Sequence, residues 1–371
     1  MNPFSLESLR VPVVQAPMAG GPSTPRLAAA VTDAGGLGSL AAGYLTADAT
    51  AHALAEYRSL TTGPVALNIF VPEAHRADAH DLAGYRSALQ DWTDSAGIDG
   101  AIPPVGEASE DLYAEKLAVA MDERPDIVSF TFGLPDVVTI ERLHEVGITV
   151  AVTVTNPAEG RVAHSHGADL LIAQGIEAGG HRAQFDQSAR PQEIPTGELV
   201  AALVDATPLA VIAAGGVDGP ESAQSLLDRG AGAVQMGTLF LTTEESGTKP
   251  THRRALLHAA ASDRPVETTL TRVFTGRPAR ALVNRFTDEM AEASVVGYPQ
   301  VNVLTSGIRS AAAAADDPQL LNLWSGTGAG GCREESAAAL VTRFSTLERP
   351  DEQDGGADRA RLSGAGEEDA G

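Results

Sequence analysis

Short apolar runs alternate with amphipathic stretches along most of the chain. The runs are rich in β-branched residues, end in Gly, Asn or Pro, and are mostly apolar at every position rather than at alternate ones. Such runs are typical of parallel strands that are buried on both faces. Most of the segments between them are rich in Ala, Leu and Glu and show helical periodicity. Eight runs fit this description, and they begin near Val11, Leu37, Val65, Ile127, Thr149, Asp169, Leu209 and Ala233.

The alternation of eight strands with helices predicts an α/β fold, the (β/α)8 TIM barrel, over residues 1–244. An open doubly wound sheet shows the same alternation, and periodicity alone does not separate the two folds. The gap from about residue 73 to 125 is much longer than an ordinary crossover and contains a helical pattern. It is predicted to be a helical insertion between the third and fourth strands.

The rest of the chain is expected to fall into three parts. Residues 245–317 carry helical patterns and are predicted to form a lid region near the barrel mouth. Residues 318–346 are predicted to form a C-terminal helix that returns to the barrel. Residues 347–371 are rich in Gly, Asp, Glu and Arg and have almost no large apolar side chains. This composition predicts a disordered acidic tail.

Composition and charge narrow the class of protein. The chain has 371 residues, 43% of them apolar, which is enough for a large buried core. A formal net charge of −23 opposes binding to nucleic acid and to anionic membranes. The single cysteine, Cys332, offers neither an internal disulfide nor a metal cluster. Without a membrane-length apolar stretch or a secretory signal, the sequence predicts a cytoplasmic protein with small-molecule partners, and it does not indicate an oligomeric state.

Two glycine-containing segments follow the seventh and eighth predicted strands. The seventh strand ends in Ala213–Gly219 (AAGGVDG), and the eighth passes through Gln235–Thr238 (QMGT). Barrels of this type often bind a phosphate between these two loops, where glycine lets backbone N–H groups come close to it. The alternative is that the glycines simply end strands. Their joint position favours a phosphate site.

Polar side chains also occur where the sixth and third strands end. The sixth strand continues into Gln174–Arg182 (QGIEAGGHR), which brings a carboxamide and the imidazole of His181 to the same rim. A histidine with a pKa near neutrality could act there as a base or as a donor to an anion, or it could be a packed histidine. Asn68 ends an apolar strand, where it would bind a flavin's pyrimidine edge or cap a turn. The Gly326–Gly331 match to GxGxxG lacks a preceding strand and is interpreted as a loop.

Five segments of the chain together form a highly specific set of motifs. They are Gln15–Pro25 (QAPMAGGPSTP), Gln174–Arg182, Ala213–Val217 (AAGGV), Gln235–Thr238 and Thr271–Arg280 (TRVFTGRPAR). In these motifs the chain resembles the bacterial class I nitronate monooxygenases, of the 2-nitropropane dioxygenase family. The resemblance runs from the first strand to about Arg343 and includes Leu323-Trp324.

This resemblance implies bound FMN and the oxidation of alkyl nitronates, such as propionate 3-nitronate, by O₂ to carbonyl compounds and nitrite. The flavin supplies the redox chemistry. His181 is implied as the catalytic histidine, which would act as a base or only orient the anion. Met18, Tyr298 and Trp324 would shape the pocket or pack in the core. The implied FMN contacts are Asn68, Gln174, Gly179, Gly216, Gln235, Met236, Gly237 and Thr238.

Two other functions compete with this one. An FMN-dependent NAD(P)H oxidoreductase, of the enoyl or quinone reductase type, would use the same barrel and the same glycine–histidine feature. A phosphate-binding isomerase or lyase without flavin would use the barrel alone. The sequence departs from the family at Ala183, where Gly is usual, and at Ser325 and Thr327. These departures concern loops near the pocket and put the range of substrates in question.

Overall fold

Eight parallel strands form a closed barrel in the computed structural model, which describes residues 4–72, 77–98, 100–107 and 109–349. The first strand pairs with the last, and a parallel bridge from Val14 to Leu37 joins the first strand to the second. The predicted (β/α)8 barrel is therefore confirmed, and the open sheet is excluded. The barrel strands are β1 (Val13–Gln15), β2 (Gly38–Ala41), β3 (Val65–Phe70), β4 (Ile127–Thr131), β5 (Thr149–Val154), β6 (Leu170–Gln174), β8 (Ala210–Ala214) and β9 (Ala233–Met236).

Each of the eight apolar runs carries one barrel strand, because a strand between the barrel core and the helices is buried on both faces. In β5 every residue of TVAVTV is buried. The main helices are α1 (Pro25–Asp33), α2 (Ala47–Leu60), α3 (Ala79–Ala96), α4 (Tyr113–Glu123), α5 (Val137–Glu145), α6 (Pro157–Ser165), α7 (Thr196–Ala206), α8 (Pro220–Leu227), α9 (Pro250–Ala260), α10 (Arg285–Glu289), α11 (Gln300–Leu304), α12 (Ser306–Ala314) and α13 (Ala337–Arg343).

Local sequence explains how several helices begin next to the barrel mouth. Thr24 Oγ1 accepts the N–H of Leu27 at 3.0 Å, and Pro25 opens α1. Asn156 caps α6 in the same way, with Pro157 following it. A polar cap followed by proline fixes the first turn of a helix, because proline has the helical φ and lacks an N–H that would need a partner. The turns from strand to helix are thus set by short local signals.

The long segment between β3 and β4 contains α3 and α4, and residues 73–76, 99 and 108 within it lie outside the described residues. It packs against the region that follows the barrel. Tyr85 OH donates to the carbonyl of Val273, and Trp92 Nε1 donates to Glu289 Oε2 at 2.8 Å. The inserted helices and the region after the barrel are therefore in direct contact.

Residues 245–317 contain α9 to α12, but they also contain a β-hairpin that the sequence analysis did not predict. The hairpin is formed by β10 (Thr268–Thr271) and β11 (Ala279–Leu282), and β11 pairs with the short strand β7 (Gly180–His181). Every position of β10 is half-buried, so neither alternation nor an apolar run marks it in the sequence.

Residues 318–346 were expected to form one returning helix but contain three short ones. These are two 3-10 helices, Pro318–Leu320 and Thr327–Gly331, followed by α13. Residues 350–371, most of the predicted acidic tail, lie outside the described residues. The first residues of the predicted tail, Leu347–Arg349, contact the N-terminal segment of the barrel. Arg349 Nη2 donates to the carbonyls of Leu6 and Leu9 at 3.0 and 2.8 Å. No helix in the described part of the chain has the length and apolarity to cross a membrane.

Candidate active site

A cavity of about 580 Å³ opens at the carboxyl ends of the barrel strands. This is the end of the barrel where (β/α)8 enzymes place their active sites. The structure brings every predicted site residue to its wall. They are Asn68, Gln174, Gly179, His181, Gly216, Gln235, Met236, Gly237 and Thr238.

Glycines allow three loops to approach closely on one side of this cavity. A Cβ on Gly179 would lie 2.4 Å from the N atom of Gly326, and Gly216 has a φ of +75° that favours glycine. Thr238 Oγ1 accepts the N–H of Gly326 at 2.9 Å. This bond connects the loop around Gly326 to the 3-10 helix Thr238–Thr242, which follows β9. The contact with Gly326 leaves no room for a side chain on Gly179, so backbone atoms form this part of the wall.

The same wall carries donors that no protein group uses. Within the described residues, no hydrogen bond involves the backbone N–H of Gly216, Gly237 or Thr238. Such N–H groups in adjacent glycine loops form a nest for an anion. The two loops after β8 and β9 therefore fit a phosphate, and the phosphate site stays a prediction.

Asn68 lies at the end of β3 and is almost completely buried. Its Nδ2 lies within hydrogen-bond distance of three acceptors, which are Ser129 O (3.1 Å), Ser129 Oγ (3.0 Å) and Thr131 Oγ1 (3.0 Å). These partners fix the carboxamide, and no hydrogen bond within the described residues uses Oδ1. Asn68 therefore offers an acceptor to an N–H group in the cavity, which fits the pyrimidine edge of a flavin.

Gln174 makes backbone contacts that the sequence does not predict. Its Nε2 donates to the carbonyl of His181 at 2.9 Å, and its Oε1 accepts the N–H of Ala183 at 2.8 Å. Both ends of the carboxamide thus hold the backbone on either side of Arg182. The side chain positions the histidine loop, and one Nε2 hydrogen remains for a ligand.

His181 is enclosed by aromatic rings. The centroids of Phe132 and Tyr298 lie 5.6 Å from the imidazole, and that of Trp324 lies 5.2 Å away. Nε2 lies 2.9 Å from Thr275 Oγ1. Burial, and then the charge of Arg309, lower the pKa of His181 to about 4. The expected pKa near neutrality is not met, because the aromatic wall removes the water that would stabilise an imidazolium.

A second half-buried histidine lies on the side of the cavity formed by residues 245–317. His252 Nε2 lies 3.0 Å from the carbonyl of Trp324, and burial lowers the pKa of His252 to about 4. With its pKa this low, the imidazole is neutral at pH 7 and donates its Nε2–H to that carbonyl. His252 therefore holds the backbone of Trp324, whose ring contacts His181.

The charged side chains at the cavity wall are all basic. Lys249 and Arg309 line it, and no aspartate or glutamate does so among the described residues. Arg309 Nη2 donates to Asn302 O and, at 2.8 Å, to Asn302 Oδ1. In a chain with a net charge of −23, this arrangement concentrates positive potential where a ligand binds.

Sequence reasoning named Tyr298 and Trp324 as possible pocket residues but missed the other groups around His181 and the charged groups of the cavity wall. Thr275 lies inside a motif that carried the family resemblance, but nothing in the motif indicates that its hydroxyl meets the histidine. Phe132, Lys249 and Arg309 have no local pattern that separates them from core or surface residues. They meet His181 or the cavity only because the barrel closes and residues 245–317 contribute to the cavity wall.

Comparison with known proteins agrees with this geometry. The family model described as nitronate monooxygenase matches residues 3–345. The chain is 38% identical over 345 residues to a nitronate monooxygenase of Pseudomonas aeruginosa, covering 91% of this chain and 95% of that protein. It is 34% identical over 341 residues to a probable nitronate monooxygenase of Bacillus subtilis, covering 90% and 95% respectively.

Solved structures give the same result. A nitroalkane oxidase from Streptomyces ansochromogenes superposes with a TM-score of 0.83 at 40% identity, covering 96% of this chain and 98% of that one. FabK from Thermotoga maritima superposes with a TM-score of 0.69 at 25% identity, with the same coverage. The match over almost the whole chain, together with the curated relatives, shows that this chain belongs to the nitronate monooxygenase family.

Proposed function

We propose that the chain is an FMN-dependent nitronate monooxygenase that oxidises alkyl nitronates, such as propionate 3-nitronate, with O₂ to carbonyl compounds and nitrite. The observation that carries this proposal is the cavity at the barrel mouth. It combines anion-binding backbone, a neutral histidine and two cations without any acidic side chain among the described lining residues. A nitronate is an anion, and such a cavity attracts it.

The chain's own groups suit FMN. The cavity volume of about 580 Å³ lies within the range of cofactor sites, roughly 300–1,000 Å³. In the proposal the free N–H groups of the two glycine loops hold the phosphate, and Asn68 Oδ1 accepts a pyrimidine N–H. When bound, FMN supplies the chemistry of taking an electron from the nitronate and passing it to O₂. The proposed FMN-binding residues are Asn68, Gln174, Gly179, Gly216, Gln235, Met236, Gly237 and Thr238.

His181 acts in this proposal as a hydrogen-bonding group rather than as a charge. With its pKa lowered to about 4, the imidazole is neutral at pH 7. If Thr275 Oγ1 donates to Nε2, the remaining proton is on Nδ1 and can be donated to a nitronate oxygen. A substrate that arrives as the anion needs no proton removed from carbon. His181 therefore orients the nitronate, while Arg309 and Lys249 supply the positive charge.

We also propose that residues 245–317 act as a lid over the barrel 1–244. Five side chains from this region, Lys249, His252, Thr275, Asn302 and Arg309, line the cavity. A lid of this kind keeps water from the reacting groups. The proposed setting is the cytoplasm, where the single free and buried cysteine, Cys332, stays reduced.

The test is nitrite release by the purified, FMN-loaded protein. Propionate 3-nitronate and ethyl nitronate are supplied in air-saturated and in oxygen-free buffer. Rapid nitrite formation that needs O₂ supports the proposal. No nitrite, together with rapid bleaching of the flavin by NADH, would replace it with the reductase function. If the protein stays colourless after incubation with FMN, it does not bind the flavin, and both the monooxygenase and the reductase functions are excluded.

A further inference from the structure

Tyr44 forms part of the boundary between the cavity and solvent. It lies three residues after the end of β2, lines the cavity and is 43% exposed. Its OH lies 3.2 Å from the OH of Tyr298, which donates to it, and its ring meets the edge of Phe70 at 5.7 Å between centroids. The phenol tip therefore contacts the protein while another part of the residue faces water.

The backbone of Tyr44 is held in an unusual conformation. Its φ is +67°, in the left-handed region that side chains rarely adopt. Such a residue keeps this conformation only where its surroundings hold it there, and strained residues of this kind cluster at functional sites. Tyr44 therefore needs an anchor.

The anchor comes from the insertion between β3 and β4. Asp111 Oδ1 accepts the backbone N–H of Tyr44 at 3.0 Å. Asp111 Oδ2 lies 2.7 Å from the ammonium of Lys116, whose side chain is completely buried. No other salt bridge within the described residues involves Lys116. A buried ammonium with one carboxylate partner strongly disfavours any movement that separates them.

Tyr298, the hydrogen-bond partner of Tyr44, is held by a different residue, Gln187. The buried carboxamide of Gln187 accepts the N–H of Tyr298 at 3.0 Å and donates to its carbonyl at 3.1 Å. The ring of Tyr298 contacts the imidazole of His181. Because Tyr298 is fixed, the position of Tyr44 determines how much space this wall of the cavity leaves beside His181.

We propose that the insertion sets the substrate range of the enzyme. The Lys116–Asp111 ion pair positions Tyr44, and Tyr44 in that position limits the length of the alkyl chain that fits beside His181. In this proposal Tyr44 determines specificity, whereas Asp111 and Lys116 are positioning residues. The inference rests on the proposed function for its substrate class, but the position of Tyr44 can be tested without turnover.

The first test compares kcat/KM for ethyl nitronate and hexyl nitronate. Tyr44→Ala opens the wall directly. The double variant Asp111→Ala/Lys116→Met releases Tyr44 and leaves no unpaired buried charge. Both are expected to raise the hexyl-to-ethyl ratio of kcat/KM by about tenfold or more, the effect of a few methylenes in an apolar pocket. Lys116→Met alone repeats the test if the double variant does not fold, because the Asp111 side chain is 22% exposed.

Tyr57→Phe is the matched control. Tyr57 is a buried tyrosine of α2 whose OH bonds to Thr32 Oγ1 and to the carbonyls of Gly63 and Pro64, and it does not line the cavity. Removing this hydroxyl costs hydrogen bonds elsewhere in the fold. The hexyl-to-ethyl ratio should stay at the wild-type value, even if the midpoint of thermal unfolding falls.

The second test measures access to the cavity by fluorescence. The chain has two tryptophans, so Trp92→Phe leaves Trp324, which lies against His181 in the cavity, as the only one. In that background, Tyr44→Ala and the double variant should each at least double the acrylamide quenching constant of Trp324. If the wild-type protein releases no nitrite while the variants show this increase in quenching, the proposed function is overturned and the inference is kept. Unchanged quenching and an unchanged chain-length ratio in the double variant would overturn the inference alone.

Discussion

The close approach of two loops at the proposed phosphate side of the cavity gives a sharp test of the proposed flavin site. A Cβ placed on Gly179 would lie 2.4 Å from Gly326 N and 2.6 Å from Ser325 C. Both are backbone atoms, so no side-chain rotation relieves the clash. Gly179→Ala must therefore push the loop of residues 325–326 away from the loop that follows β6.

The expected loss of FMN affinity in Gly179→Ala follows from the displacement of the loop of residues 325–326. Separating the loops breaks the bond from Gly326 N–H to Thr238 Oγ1, and Thr238 is one of the proposed phosphate-binding residues. Overpacking of this kind costs about 1–3 kcal/mol. If that cost falls on the bound state, the dissociation constant of FMN rises by roughly 5- to 150-fold, since each 1.4 kcal/mol is a factor of ten.

The assay is titration of the flavin-free protein with FMN, followed by flavin fluorescence. Gly84→Ala is the control, because Gly84 lies within α3 and a Cβ there meets no atom within 4 Å. The control should bind FMN like the wild type. If Gly179→Ala also binds FMN within a factor of two of the wild type, the glycine contacts do not form the phosphate site.

Three further predictions concern charge and protonation. His181→Asn should retain FMN and its absorbance spectrum but lose about 10- to 100-fold in kcat/KM for ethyl nitronate, the value of one hydrogen bond to an anion; unchanged turnover would remove His181 from the mechanism. Because the pKa of His181 and of His252 is lowered to about 4, the unfolded chain binds protons that the folded chain does not, and stability is lost as the pH falls below about 6.5. The free energy of unfolding, measured with urea, should be lower at pH 5 than at pH 8 by about 2 kcal/mol for each of the two histidines. In His252→Gln, this difference between the two pH values should be about half of that in the wild type. Lys249→Gln should weaken the decrease of kcat/KM with rising salt, whereas Arg190→Gln, at a fully solvated side chain, should leave the salt dependence as it is.

The barrel strands could be predicted because burial on both faces leaves a strong trace in the sequence. All six residues of β5 are buried, and the run TVAVTV cannot be mistaken for a half-exposed strand. β10 lacks this trace, since Thr268–Thr271 are half-buried throughout and their partner strand lies eight residues further along the chain. Its formation depends on pairing, which propensity over four residues does not determine.

The candidate site was predictable to the extent that chain position implies spatial position. The loops after β8 and β9 must meet at the carboxyl end of a barrel, so the two glycine segments were correctly placed together. The environment of His181 was not predictable in this way. Thr275 is 94 residues away in sequence, and the hydrogen bond between them requires the hairpin β10–β11 to pair with β7. Gln174 was placed correctly at the cavity, but its bonds to the backbone of His181 and Ala183 could not be foreseen from the sequence.

The neutral state of His181 explains why the cavity also needs Arg309 and Lys249. Three aromatic rings enclose the imidazole, and an imidazolium there would lack the water or the carboxylate that stabilises it elsewhere. The same enclosure strengthens any hydrogen bond that His181 makes to an anion, because the local dielectric constant is low. In the proposed function, positive charge at Arg309 and Lys249 attracts the nitronate, and no acidic side chain among the described lining residues neutralises it. The proposal thus assigns attraction and orientation of the anion to different residues, and it allows the enclosed histidine to remain uncharged while it orients the substrate.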